Sequence, residues 1–106
     1  MTPNDLSHAA EVLMAAIRIR YVGPAVRLSE NATYKEISQE AVLSHCLFLL
    51  GKVHNLAHSP NTIGKANRWL AWSQGLLWTT GIFPSIQDLK EINDSKDSRQ
   101  ISFEFD

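Results

Sequence analysis

Residues 63–93 read IGKANRWLAWSQGLLWTTGIFPSIQDLKEIN and hold all three tryptophans of the chain. Taken at about 100° per residue, Trp69, Trp72 and Leu76 gather on one side with Lys65, while Ile63, Ala66, Leu70 and Leu77 gather on a second side roughly 120° away. A helix with two apolar stripes needs two neighbours, either two other helices of its own fold or one helix and a second subunit. Between the stripes, Asn67 and Gln74 share a polar line beside Trp78. Ser59-Pro60-Asn61-Thr62 marks the start, with Pro suited to a first helical position and Ser, Asn or Thr able to cap free amides. Gly81 marks the stop, since it can take the left-handed conformation while Ile82 or Phe83 folds back on the last turn. Ser85 with Asp88 then opens a short further helix over about 86–93.

Working outward, Thr2-Pro3-Asn4-Asp5 forms a helix opening, with Thr2 as cap and Asp5 three residues on. Leu6, Ala10, Leu13 and Ile17 follow at helical spacing, thickened by Ala9, Val12, Ala16 and Ile19. Gly23-Pro24 ends this first helix near Tyr21. The connector over 22–32 contains Val26 and Leu28, so it is expected to pack across the bundle. Thr33 with Glu36 reads as a capping box for a second helix reaching Ala57, apolar nearly all round from Val42 onward and therefore the central element.

These signals define an all-α fold, a small bundle of three main helices plus a short fourth helix and an extended C-terminal tail. The bundle is assigned to residues 1–93 and the tail to 94–106. In that tail Ile101, Phe103 and Phe105 alternate with Ser102, Glu104 and Asp106, the period of an extended segment with one apolar face. Such a segment either packs on its own bundle or docks on a partner, and Ile101, Phe103 and Phe105 are the candidate partner-binding residues.

A chain of 106 residues has room for one domain. Its 44% hydrophobic and 20% charged content is ordinary for a soluble globular protein. A net charge of −1 gives no field to attract nucleic acid and no acidic surface to imitate it. The single cysteine rules out an internal disulfide framework and suits a reducing compartment. Met1-Thr2-Pro3-Asn4-Asp5 does not open a secretory leader, and the longest apolar run, Cys46 to Leu50, is far short of the roughly 20 residues needed to span a bilayer. A cytoplasmic location is expected.

Arg68-Trp69-Leu70-Ala71-Trp72-Ser73-Gln74-Gly75-Leu76-Leu77-Trp78, followed by Gly81 and then Ile86-Gln87-Asp88-Leu89-Lys90, resembles the C-terminal half of small accessory proteins of tailed phages and prophages. Their pattern runs approximately R-W-L-G-F-x-Q-G-x-L-W-x-x-G and then I-D-E-[LM]-[KR], across about a third of this chain. The sequence departs from it at Ala71, where the family often has Gly, and at Gln87-Asp88, where it often has Asp-Glu. The resemblance implies a setting, a protein made in an infected bacterium, and supplies no mechanism.

Catalytic signals are sparse. His54 and His58 at i and i+4 share a helical face, but no third ligand stands at metal-site spacing, so no metal and no other cofactor is expected. Cys46 sits in the most apolar stretch, where burial suppresses thiolate chemistry. No nucleophile elbow, phosphate loop, dinucleotide fingerprint or paired carboxylates are present, and the chain is not expected to be an enzyme. The expected function is a non-enzymatic accessory protein that binds and modulates a host protein, in host takeover or anti-defence. Its expected homodimer or higher oligomer forms through Trp69, Trp72 and Trp78. An alternative from another class is an oligomeric binder of a nucleotide signal, with Lys65, Arg68 and Gln74 as ligand contacts beside the tryptophans. Weak DNA binding through Arg18, Arg20 and Arg27 is a third possibility, and no helix carries the run of basic residues on one face that it would need.

Overall fold

The computed structural model describes residues 2–33, 35 and 37–82, and among these the fold is all-helical: α1, Pro3–Arg20; α2, Gln39–Ala57; α3, Ile63–Thr79. The expected short fourth helix and the tail with Ile101, Phe103 and Phe105 lie outside the described residues.

α1 begins as its opening residues dictate. Thr2 Oγ1 accepts from the Asp5 amide and the Asp5 carboxylate accepts from the Thr2 amide, both at 3.1 Å, with Pro3 at the first helical position. Its end is set at Tyr21, which turns extended while its amide still donates to the Ile17 carbonyl. The Tyr21 hydroxyl then donates to the Pro24 carbonyl at 2.8 Å, and the ring lies so close over Gly23 that a Cβ there would meet the phenolic oxygen at 2.5 Å.

α2 starts later than the Thr33–Glu36 pattern suggests. Ser38 is the cap, its Oγ accepting from the Ala41 amide at 3.1 Å, while Thr33 belongs to the connector and Glu36 lies outside the described residues. Earlier in the connector two amides are engaged by α2: Val26 N–H donates to Ser44 Oγ at 2.8 Å and Leu28 N–H to His45 Nδ1 at 3.1 Å.

α3 also begins by a different device. Pro60 sits in the turn before the helix, not at its first position, and the Thr62 hydroxyl donates back to the Leu56 carbonyl at 2.7 Å in place of capping an α3 amide. At the far end Gly81 takes φ of +77°, as its role as a stop requires, and Ile82 packs on the core.

Three cross-links fix the direction of α3 against α2: Gln39 to Thr80, Cys46 to Ser73 and Leu56 to Thr62, each pairing a later residue of α2 with an earlier one of α3. The two helices are therefore antiparallel. The Ser7–His54 hydrogen bond near the start of α1 and the end of α2, with the connector returning to Ser44, makes α1 and α2 antiparallel as well. α2 packs along both neighbours, whereas α1 and α3 meet sparingly.

The core runs through Leu6, Leu13 and Ile17 of α1, Cys46, Leu50 and Val53 of α2, and Ala66, Leu70 and Leu77 of α3, all essentially excluded from solvent. One residue expected to thicken the α1 face does not: Ile19, in the last turn, is 86% exposed. Of the two stripes on α3, the one with Ala66, Leu70 and Leu77 is the core stripe, and the other borders an open groove.

Candidate functional site

The groove lies between α2 and α3 with the connector as its third wall, and encloses about 820 Å³. That is within the range of roughly 300–1,000 Å³ typical of ligand sites. α3 contributes Trp72, Leu76 and Thr79, which rise along one face at three- and four-residue spacing. Val42 and His45 from α2 face them, and Arg27 and Leu28 come from the connector. One end is closed by Gln39, whose side-chain amide donates to the Thr80 carbonyl at 2.6 Å. At the other end a smaller depression of about 320 Å³ shares Arg27, His45 and Trp72 with the groove and adds Leu49, Arg68 and Trp69.

The connector holds its place as a wall through Ser44 of α2. Ser44 Oγ accepts from Val26 N–H at 2.8 Å and donates to the Pro24 carbonyl at 2.6 Å, so one hydroxyl satisfies a donor and an acceptor of a segment that has no partner strand or helix turn. Ser44→Ala is expected to cost about 1–3 kcal/mol, since both backbone groups lose their partner. Thermal denaturation reads the loss, and amide exchange at Val26 should accelerate more than at any core amide of α2; equal acceleration throughout would show that Ser44 does not hold the connector.

His45 is oriented by the same device. Its Nδ1 accepts from the Leu28 amide, so the neutral ring carries its proton on Nε2, and no described residue accepts from that N–H. Burial lowers the His45 pKa below its ordinary value, and the guanidinium of Arg27 lowers it further. Arg27 itself reaches Glu30 at only 4.0 Å in an exposed pair, a contact of little strength.

The residues singled out from the sequence are partly brought together and partly separated. Trp69 is half-buried against the core, with the Lys65 ammonium 4.7 Å from its ring centre, and Trp72 beside it is 60% exposed in the groove. Trp78 is 50% exposed and borders neither depression. Gln74 does not join Lys65 and Arg68 at the surface. It is fully buried, and its amide oxygen and nitrogen find no hydrogen-bond partner among the described residues, nor does the hydroxyl of buried Ser73. At about 100° per residue Gln74 falls some 40–60° from Leu70 and Leu77, close enough for the core to close over it. Because a buried amide without partners is destabilising, Gln74→Leu is expected to raise stability by about 1–2 kcal/mol. A drop in melting temperature on that substitution would mean the amide is satisfied and structurally required.

Elsewhere, Ser7 Oγ and His54 Nδ1 are 3.0 Å apart and the His54 and His58 rings have centres 4.4 Å apart, which ties α1 to α2. Among the described residues no third His, Cys, Asp or Glu completes a metal-binding group. Arg18 donates to the Gly23 carbonyl, where it closes the end of α1, whereas Arg27 lies on the groove wall, so the arginines near the first turn are divided between tasks. No described helix is long and apolar enough to cross a membrane. Arg27, weighed from the sequence only as a DNA contact, and His45, given no site role there, are the additions that the fold makes to the site. Only the connector's return along α2 places them beside the tryptophans.

Comparison with protein-family models, curated proteins and solved structures finds no match for this chain.

Proposed function

We propose that this chain is a non-enzymatic binding module, an accessory protein of a phage or prophage that works in the host bacterial cytoplasm by binding and modulating a host protein. The observation that carries this reading is Trp72, a large aromatic 60% exposed within a groove of about 820 Å³. Exposed tryptophans in concave, partly apolar surroundings are the residues that anchor interfaces most strongly. The phage and host setting rests on the resemblance of the Arg68–Trp78 stretch, and Ile101, Phe103 and Phe105 of the tail offer a second apolar contact for the same partner.

The test is affinity capture from bacterial lysate with three baits: the wild type, Trp72→Ala and Trp78→Ala. A host protein that is enriched by the wild type and by Trp78→Ala, is reduced at least tenfold by Trp72→Ala, and rebinds as purified protein supports the reading. Equal capture by all three baits overturns it.

Self-association belongs to the same proposal. Trp78, half-exposed away from the groove, is the residue assigned to a seam between copies. Trp78→Ala is expected to move the sedimentation mass at micromolar concentration toward monomer; a wild type that is already monomeric removes the seam.

A further inference from the structure

The inner end of the groove has a chemistry that a general apolar docking surface does not need. Arg27 arrives from the connector and Arg68 from α3, so two arginines from separate elements border one depression of about 320 Å³. No Asp or Glu borders that depression among the described residues. Among the described residues the carboxylate paired with Arg27, that of Glu30, is 4.0 Å away, 88% exposed, and borders only the wider groove. His45 adds an N–H donor whose direction is fixed by the Leu28 amide on the opposite ring nitrogen. Trp69 and Trp72, three residues apart on α3, supply two indoles to the same depression.

We infer that Arg27, His45, Arg68, Trp69 and Trp72 form a binding site for a nucleotide, with the base on the indoles and the phosphate held by the two guanidiniums and the His45 Nε2–H. Two arginines and a third donor match a dianionic phosphate with its three acceptor oxygens better than a carboxylate, which one bidentate arginine satisfies. The indole faces accept any base, because stacking does not depend on a particular hydrogen-bond pattern. Lys65, already seated over the Trp69 ring at 4.7 Å, leaves the positive charge of this end in excess before any phosphate arrives. His45 suits the role when neutral, since the neutral ring, with Nδ1 accepting from the Leu28 amide, donates through Nε2, and burial lowers its pKa. The depression opens into the larger groove through Arg27, His45 and Trp72, which leaves room for a sugar and for further substituents on it.

This inference goes beyond protein binding and does not depend on it. Its test uses the purified full chain, the four ribonucleoside 5′-monophosphates, the corresponding nucleosides and inorganic phosphate, read by tryptophan fluorescence and isothermal titration calorimetry. At least one monophosphate is expected to quench fluorescence saturably and to bind at least tenfold tighter than its nucleoside or phosphate alone. Arg27→Ala and Arg68→Ala, both at exposed positions, should each weaken that binding about tenfold while leaving the circular dichroism and melting temperature unchanged. Trp72→Ala should remove most of the quenching. Binding of every nucleotide no tighter than inorganic phosphate, or undiminished in both arginine variants, overturns the site.

Discussion

Leu70→Ala is expected to remove about 3 kcal/mol of stability, which would lower the melting temperature of a domain this size by roughly 10–20 °C. Leu70 stands in the middle of α3, is wholly excluded from solvent, and faces a core to which all three helices contribute. Cutting it to Ala removes apolar burial and leaves a cavity that helices crossing at close range cannot collapse. Trp72→Ala, two residues along and chemically the larger deletion, should cost less than about 1 kcal/mol, because its ring is 60% exposed in the folded state. The pair is best read by urea denaturation, where both variants should keep the wild-type slope. A ranking in which Trp72→Ala is the more damaging would place the wrong stripe of α3 in the core.

Cys46 is expected to be nearly inert to thiol reagents until the chain unfolds. It lies in α2 with no solvent exposure, its Sγ 3.8 Å from the Ser73 carbonyl, and burial pushes its pKa from an ordinary 9.0 up to about 12. At pH 8 that shift alone lowers the thiolate fraction by about a thousandfold, and the reagent must also reach a closed core. Ellman's reagent should therefore react at least about a hundredfold more slowly with the native protein than with the protein in denaturant, where one thiol should appear. The same shift sets the sign of one pH effect. Above about pH 9 the unfolded chain gives up the Cys46 proton while the folded chain keeps it until about pH 12, so the unfolded state binds fewer protons and this contribution to stability falls as pH rises through that window. His45 acts at the opposite end. Its folded pKa is depressed, so the unfolded chain takes up a proton first as pH falls below the ordinary histidine range, and its contribution is lost on acidification. Rapid labelling of native Cys46 at pH 8 would show that α2 opens readily from its neighbours.

The sequence by itself determined the three helices among the described residues, the end of α1 at Tyr21, the stop at Gly81 and the central place of α2. Each of these rests on interactions within a few residues: the Thr2–Asp5 box, the Gly23–Pro24 break, the left-handed glycine, and an apolar surface too broad to be solvated. Tertiary structure decided what depends on distant neighbours. α2 starts at Ser38 and not at Thr33, and the connector before it is held by Ser44 and His45, partners 18 and 17 residues away that no local pattern contains. Periodicity showed two stripes on α3 but could not rank them; packing against α1 and α2 chose the stripe of Leu70 and left Trp72 at an open groove. It likewise drew Gln74 into the core and out of the set of surface contacts, since an amide on the margin of an apolar face is buried or solvated according to what closes over it. The candidate site was half legible for the same reason. Arg68, Trp69 and Trp72 share one helix and were visible in its spacing, whereas Arg27 and His45 join them only because α2 and the connector fold back across α3, a juxtaposition set by long-range packing and by two backbone hydrogen bonds.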